Sequence, residues 1–188
     1  RYMRETYGVS NEKTALAITI ANREKALLQD LDYENGYSLY VGIPFCPSIC
    51  LYCSFGSHPL ERWTKRVDEY LDTLCKELTF IREQMGARKL TTVYIGGGTP
   101  TTLEPEQLRR LLSHIQETFD FTWVKEYTVE AGRPDSITRE KLQVMKEFPV
   151  TRISVNPQTM NQKTLDVIGR KHTVEDTINI FRMARELE

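Results

Sequence analysis

Apolar and polar positions follow two rhythms along this chain. Short runs rich in β-branched and aromatic residues predict strands over 37–43, 91–95, 126–131 and 152–155. Between them, apolar residues recur at three and four. Trp63, Val67, Tyr70, Leu71, Leu74, Leu78, Ile81 and Met85 predict one long helix over 62–85. Glu104-Pro105 opens a second, with proline at the first turn, where its missing N–H costs little. Leu108, Leu111, Leu112, Ile115 and Phe119 form the stripe of that helix. Thr138 is placed to cap a third helix through Leu142 and Met145. A fourth covers roughly 162–168 and stops near Gly169, and Thr173 caps a last one carrying Ile178, Phe181, Ala184 and Leu187.

Strands alternating with helices predict parallel βα units in an α/β fold. Four such units are visible, so the expected architecture is a partial (β/α) barrel over 37–188. Residues 1–36 read as a helical lead-in, capped at Ser10 or Asn11 and closed by the Asn35-Gly36 turn. The chain starts at Arg1 and stops at Glu188 inside a helical pattern, so a piece of a longer protein is expected. In βα barrels, chemistry collects in the loops that follow the strands. Here those loops carry three clustered cysteines, three consecutive glycines, Glu130-Ala131-Gly132-Arg133 and Asn156-Pro157-Gln158.

Composition narrows the class without naming a function. With 40% apolar and 27% charged residues, the chain has an ordinary globular balance. A formal charge of −1 gives no electrostatic footprint for nucleic acid. No apolar run approaches a membrane span, and no leader resembles a signal peptide. Four cysteines without a secretory signal predict a reducing, cytoplasmic setting, where clustered thiols act as ligands or catalytic groups.

Cys46, Cys50 and Cys53 are spaced C-x3-C-x2-C on the loop after the first strand. Soft thiolates suit iron or zinc. A structural zinc site wants four protein ligands, and His58 is near enough in sequence to complete one. An iron–sulfur cubane held by three thiolates leaves one iron open to a small molecule. Spacing alone favours the cluster and leaves zinc standing. Cys75 falls on a helical stripe and reads as an inert core residue. Gly96, Gly97, Gly98 and Thr99 permit close backbone approach to a polar head group, although glycine turns are common. The Glu130 carboxylate suits an ammonium, and the planar fork of Arg170 suits a carboxylate. Either one alone is more often a rim charge. Gln158 suits hydroxyls but is equally a turn residue, and Tyr40 is more often a core aromatic. Taken together, the loops have the groups to hold an amino acid head and a sugar beside a cluster.

Residues 40–53, Tyr-Val-Gly-Ile-Pro-Phe-Cys-x3-Cys-x-Tyr-Cys, resemble the radical S-adenosylmethionine enzymes. The chain is most similar to the oxygen-independent coproporphyrinogen III oxidase (dehydrogenase) family within them. Tyr94-Ile-Gly-Gly-Gly-Thr-Pro-Thr101, Arg152-Ile-Ser-Val-Asn-Pro-Gln158 and Ile168-Gly-Arg-Lys-His172 extend the match from Tyr37 to the C-terminus. Glu130-Ala-Gly-Arg-Pro-Asp-Ser136 resembles the HemZ branch. The resemblance implies a six-unit barrel and a [4Fe-4S] cluster on Cys46, Cys50 and Cys53. It implies that Gly96, Gly97, Gly98 and Thr99 hold the methionine amino group of S-adenosylmethionine. Glu130 and Arg170 would take the methionine's polar ends, Gln158 the ribose and the backbone near Tyr52 the adenine, with Tyr40 beside the cofactor. An electron donor would reduce the cluster, and a 5′-deoxyadenosyl radical would abstract hydrogen from a porphyrinogen propionate. That propionate loses carbon dioxide to become vinyl, so coproporphyrinogen III becomes protoporphyrinogen IX in haem biosynthesis.

Two positions depart from the family pattern. Phe55 stands where relatives carry a further cysteine, and Gly42 where they carry a histidine. Both differences touch the substrate side, and they keep open a related role, haem binding and delivery without decarboxylation. The strands absent from this segment would supply further cofactor contacts. The isolated segment should therefore bind S-adenosylmethionine more weakly than the longer protein does, and anaerobic calorimetry giving equal affinities would contradict this.

Overall fold

The computed structural model describes residues 1–29, 31–32, 34–55 and 58–187. They form two compact units, Arg1–Gly36 and Tyr37–Glu188. The first holds α1 (Tyr2–Tyr7) and α2 (Asn11–Leu28). Gly8, in the left-handed region at φ 62°, closes α1, and the Ser10 hydroxyl caps α2 by accepting from the Lys13 N–H. Thr14 is the buried residue of α2, so the apolar positions Leu16, Ile20 and Leu27 build no core within this unit.

The second unit is built on a four-stranded sheet in the order β1-β4-β5-β6, where β1 is Gly36–Ile43, β4 Lys89–Gly97, β5 Glu126–Glu130 and β6 Arg152–Ser154. β4 pairs parallel with β5, and β5 with β6. A two-residue parallel bridge joins β2 (Phe45–Cys46) to β3 (His58–Pro59) beside the sheet. The helices α4 (Val67–Met85), α5 (Pro105–Thr118), α6 (Arg139–Lys146) and α8 (Val174–Glu186) pack neighbour on neighbour in chain order. Short α3 (Leu60–Trp63) and α7 (Gln162–Val167) complete the set. No helix among the described residues is long and apolar enough to cross a membrane.

The two-residue period of a strand gives the sheet its faces. Leu39, Val41 and Ile43 of β1, Val93 and Ile95 of β4, and Tyr127 and Val129 of β5 are buried in the core with Leu71, Leu78, Leu108, Leu111, Leu112 and Ile115. The alternate residues are polar or aromatic. Ser38 and Tyr40 lie beside Thr92 and Tyr94, as the Thr92–Ser38 hydroxyl bond and the stacked Tyr40–Tyr94 rings show. The ladder pairs Tyr94 with Thr128 and Glu130 with Ser154. This second face carries the candidate chemistry. β6 forms the other edge of the sheet, where an apolar groove is lined by Leu142, Met145, Ile153, Val155 and Phe181.

The structure corrects one predicted element. The long helix over 62–85 is broken: α3 ends at Trp63, a 3₁₀ turn covers Thr64–Arg66, and α4 begins at Val67. None of Thr64–Arg66 is buried, so no packing holds that turn in α geometry, and the Thr64 hydroxyl donates back to the Leu60 carbonyl at 2.8 Å. Cys75 is half-buried rather than a core residue, and burial pushes its thiol pKa up. Other boundaries stand close to those predicted. The Glu104–Gln107 capping box opens α5, the Thr138 side chain caps α6, and a Thr173–Asp176 capping box opens α8.

Leu111 is completely buried between the helices and the sheet. Leu111→Ala should cost about 2–5 kcal/mol of unfolding free energy in urea titration, because the removed atoms leave a cavity that packing cannot fully close.

Candidate functional site

The end of β1 turns at once into the cysteine loop. Tyr70 on α4 fixes that turn: its hydroxyl donates to the Gly42 carbonyl at 2.5 Å, and its ring meets Phe45 edge-on. Cys46 and Cys50 are buried and Cys53 is partly exposed; all three are free thiols. The Cys53 N–H donates to the Cys50 carbonyl at 3.0 Å, closing a tight turn. Two neighbouring loops hold the cysteine loop in place. The Leu51 N–H donates to the Ile168 carbonyl at 3.0 Å, and the Ser48 hydroxyl donates to the Gly169 carbonyl at 3.3 Å. From the β5–α6 loop, Arg133 reaches the Ser48 carbonyl and hydroxyl, each at 3.0 Å, and the Cys50 sulfur at 3.7 Å.

The three glycines bring the end of β4 close to its neighbours. The Gly98 N–H donates to the Ile43 carbonyl at 2.7 Å. A Cβ on Gly98 would lie 2.7 Å from the Phe45 carbonyl oxygen and 2.9 Å from the Cys46 sulfur. A Cβ on Gly97, which sits at φ 100°, would lie 3.0 Å from the backbone of Ile43. The glycines thus let the end of β4 pass directly under the cysteine loop. Thr99 is buried, with its hydroxyl 2.7 Å from the Gly98 carbonyl and 3.6 Å from the Cys46 sulfur, its one proton shared between them. Burial raises the Cys46 thiol pKa, while Thr99 and the nearby charge of Arg133 pull it down. A metal taken up here displaces that proton.

Glu130 stands at the C-terminal end of β5, alongside Gly96. A Cβ on Gly96 would lie 3.0 Å from a Glu130 carboxylate oxygen. The Tyr94 hydroxyl donates a short hydrogen bond to the same carboxylate, which pushes the Tyr94 pKa up to about 12. Tyr40, largely exposed, stacks on Tyr94 with ring centres 5.9 Å apart. Tyr94 therefore connects two of the predicted site residues, and the two-residue spacing from Tyr94 to Gly96 is the sequence signal that places it on their face.

Arg170 is buried at 8% exposure. One terminal nitrogen donates to the Tyr52 hydroxyl at 3.1 Å, while Nε and Nη1 meet no hydrogen-bond partner among the described residues. A buried cation with unspent donors is costly unless an anion completes it. Gln158 lies on the β6–α7 loop with φ 61°, a conformation rare for a residue with a side chain, and its N–H donates to the Asn156 side chain at 3.1 Å. Its side chain is exposed. The structure thus forms three groupings: Cys46 with Gly98 and Thr99, Tyr40 and Glu130 through Tyr94, and Tyr52 with Arg170. Gln158 stands outside them. His172, at 1% exposure, lies beneath this region, and burial lowers its pKa.

The donor set also bears on the metal. Among the described residues, no three His, Cys, Asp or Glu side chains gather closely enough to hold a single ion. Zinc needs its ligands within about 2.0–2.3 Å of one point. His58, the fourth ligand that a zinc site would need, packs its ring on Trp63 at 4.8 Å and lies beside Phe45 in the β2–β3 bridge. A cubane cluster binds each thiolate through a different iron, so its ligands need not converge on one point. The hydrogen bonds to the Cys46 and Cys50 sulfurs are the kind that accompany cluster ligands.

The chain is similar to known proteins over most of its length. The family model described as the Radical SAM superfamily matches residues 40–188. The oxygen-independent coproporphyrinogen-III oxidase-like protein HemZ of Bacillus subtilis is 40% identical over 188 residues, covering 98% of this chain and 38% of its own length. The heme chaperone HemW of the same organism is 40% identical over 151 residues, covering 80% of this chain and 39% of its own. The solved structure of coproporphyrinogen III oxidase (HemN) from Escherichia coli, described as a radical SAM enzyme, superposes with a TM-score of 0.74 at 30% identity. It covers 87% of this chain and 38% of that one. The chain thus spans well under half the length of these relatives.

Gly98→Ala should expel or distort the cysteine loop, because the neighbours of its Cβ are backbone and a ligand sulfur. Gly132→Ala, where a Cβ meets nothing within 4 Å, is the control. Iron and sulfide analysis after anaerobic reconstitution should show a marked loss for the first and none for the second.

Proposed function

This chain belongs to the radical SAM superfamily, and from that membership we propose that it is the cofactor-binding part of an oxidoreductase acting on porphyrinogens. The cofactors of the family are a [4Fe-4S] cluster and S-adenosylmethionine. Cys46, Cys50 and Cys53 would hold the cluster, leaving one iron for the amino acid end of S-adenosylmethionine. The observation that carries this reading is Arg170, a buried guanidinium beside Tyr52 with two nitrogens unpartnered among the described residues. It has the charge and planar geometry to take a carboxylate.

The protein's own groups have separable tasks. Arg170 binds the carboxylate end, and Glu130, held by Tyr94, offers an acceptor for an ammonium. Tyr40 and Tyr94 give the cofactor an aromatic wall, Gln158 takes the ribose, and Gly96, Gly97, Gly98 and Thr99 hold the methionine amino group while carrying the β4 end against Cys46. When bound, the cluster and S-adenosylmethionine supply one-electron chemistry that removes a hydrogen atom from the substrate. The substrate read here is coproporphyrinogen III. Two propionates each lose a hydrogen atom, carbon dioxide and one electron to become vinyl, giving protoporphyrinogen IX. An external electron donor and an acceptor complete the cycle. Four unpaired cysteines suit a reducing cytoplasm.

Haem binding without decarboxylation is the second reading. Phe55 and Gly42 favour it, since both replace residues expected on the substrate side, and the named heme chaperone matches as well in identity. Anaerobic turnover of the full-length protein with coproporphyrinogen III, reductant and S-adenosylmethionine separates the two. Vinyl product with release of carbon dioxide supports the enzyme; tight haem binding with no vinyl product overturns it.

Arg170→Met should weaken S-adenosylmethionine binding about 10- to 100-fold, the equivalent of a charged hydrogen bond worth about 1.5–3 kcal/mol. Exposed Lys171→Met should leave the affinity unchanged in the same calorimetric titration.

A further inference from the structure

Arg133 spends every donor it has. Its Nε and one Nη2 hydrogen go to the two carboxylate oxygens of Asp135, at 3.0 and 2.7 Å. The other Nη2 hydrogen meets the Ser48 hydroxyl at 3.0 Å. Nη1 donates to the Ser48 carbonyl at 3.0 Å and to the Cys50 sulfur at 3.7 Å. Five N–H groups thus meet five acceptors, on a side chain only 3% exposed. Two of those acceptors lie in Ser48, between the first two cysteines, and a third is a cysteine sulfur. Asp135 is on the outer side of the pair, with 19% of its side chain exposed. No other cation is hydrogen-bonded to a cysteine sulfur among the described contacts.

We propose that Arg133 is a positioning residue of the cluster site, which locks the Ser48–Cys50 turn and raises the reduction potential of the cluster by placing a guanidinium against the Cys50 sulfur, with Asp135 as the opposing control. The proposal rests on the cluster reading of Cys46, Cys50 and Cys53. Its physics is a sign argument. Reduction adds a negative charge to a cluster that already carries three thiolates. A cation and an N–H donor at one sulfur stabilise the more negative, reduced state, and hydrogen bonds to sulfur together with local charge are what set such potentials. Asp135 carries the opposite charge in the same buried pair, so it partly cancels the field of Arg133. Its removal should act in the opposite direction. Lysine cannot replace the arginine: a single ammonium with three donors cannot span Asp135, both Ser48 oxygens and Cys50 together.

The test uses the full-length protein, reconstituted anaerobically, with iron and sulfide analysis and a redox titration followed by electron paramagnetic resonance. Arg133→Gln should lower the midpoint potential, and Asp135→Asn should raise it. Each change is expected to shift the reduction equilibrium about tenfold, which for a one-electron couple is about 59 mV. Arg133→Lys should keep the charge but lose iron on gel filtration faster than the wild type. Opposite shifts for Arg133→Gln and Asp135→Asn support the proposal. Unchanged potentials, or shifts in the same direction, overturn it, because a merely structural clamp has no reason to give opposite signs. Should Arg133→Gln hold no cluster, Asp135→Asn decides: an upward shift supports the proposal and no shift overturns it. A wild-type protein without iron and sulfide contradicts the cluster reading itself, and with it this proposal, whereas a loaded wild type with unshifted variants contradicts the proposal alone.

Discussion

The site depends on one close approach: the end of β4 passing beneath the cysteine loop with no side chain between them. Gly98 donates its N–H to Ile43 at 2.7 Å and leaves no room for a Cβ against Phe45 and Cys46. That contact brings the Cys46 sulfur over the β4 end, where the buried hydroxyl of Thr99 reaches it. It also sets where β1 stops, since Ile43 is the last residue of that strand. The sheet face bearing Tyr40, Tyr94 and Glu130 then opens beside the cysteines rather than away from them. A side chain at Gly98 would force the strand end and the loop apart, and the groupings on either side would lose their common frame.

Electrostatics is arranged in two layers around that frame. Nearer the cysteines are Arg133, paired with Asp135 and fully hydrogen-bonded, and Arg170, which keeps donors unspent. The contrast matters because both cations are buried. A satisfied, countered guanidinium is a fixture of the fold. An incompletely satisfied one is a demand for an anion, and it lies beside Tyr52 within the cysteine segment. Farther along the sheet, Glu130 is oriented by Tyr94 and presents the opposite charge. Glu130 and Arg170 thus offer opposite charges, the two that the proposed function assigns to the ends of an amino acid zwitterion.

Much of this was legible in the sequence because short-range rules govern it. Periodicity located all four strands of the sheet, and the side chains of Thr138 and Thr173 cap helices where their spacing placed them. The cysteine spacing and the residues after each strand named the candidate site. What stayed hidden depends on long-range packing. The break at Thr64–Arg66 follows from what does not pack there. That the missing glycine side chains also make room for β1 and the cysteine loop follows from neighbours distant in the chain. Tyr94 and Arg133 stood there only as members of longer motifs, since Glu130 lies 36 residues from Tyr94 and the cysteine-loop contacts of Arg133 lie 83–85 residues away. Arg133 carries no local signature distinguishing it from a surface charge.

The proposed function has Cys46, Cys50 and Cys53 hold a cluster with one iron left for S-adenosylmethionine. The most direct measurement is electron paramagnetic resonance of the anaerobically reconstituted, dithionite-reduced protein, before and after adding S-adenosylmethionine. A reduced [4Fe-4S] signal that changes on addition is expected, as ligation at the open iron alters its surroundings. A cluster signal indifferent to S-adenosylmethionine, or a protein carrying zinc without sulfide, would contradict it.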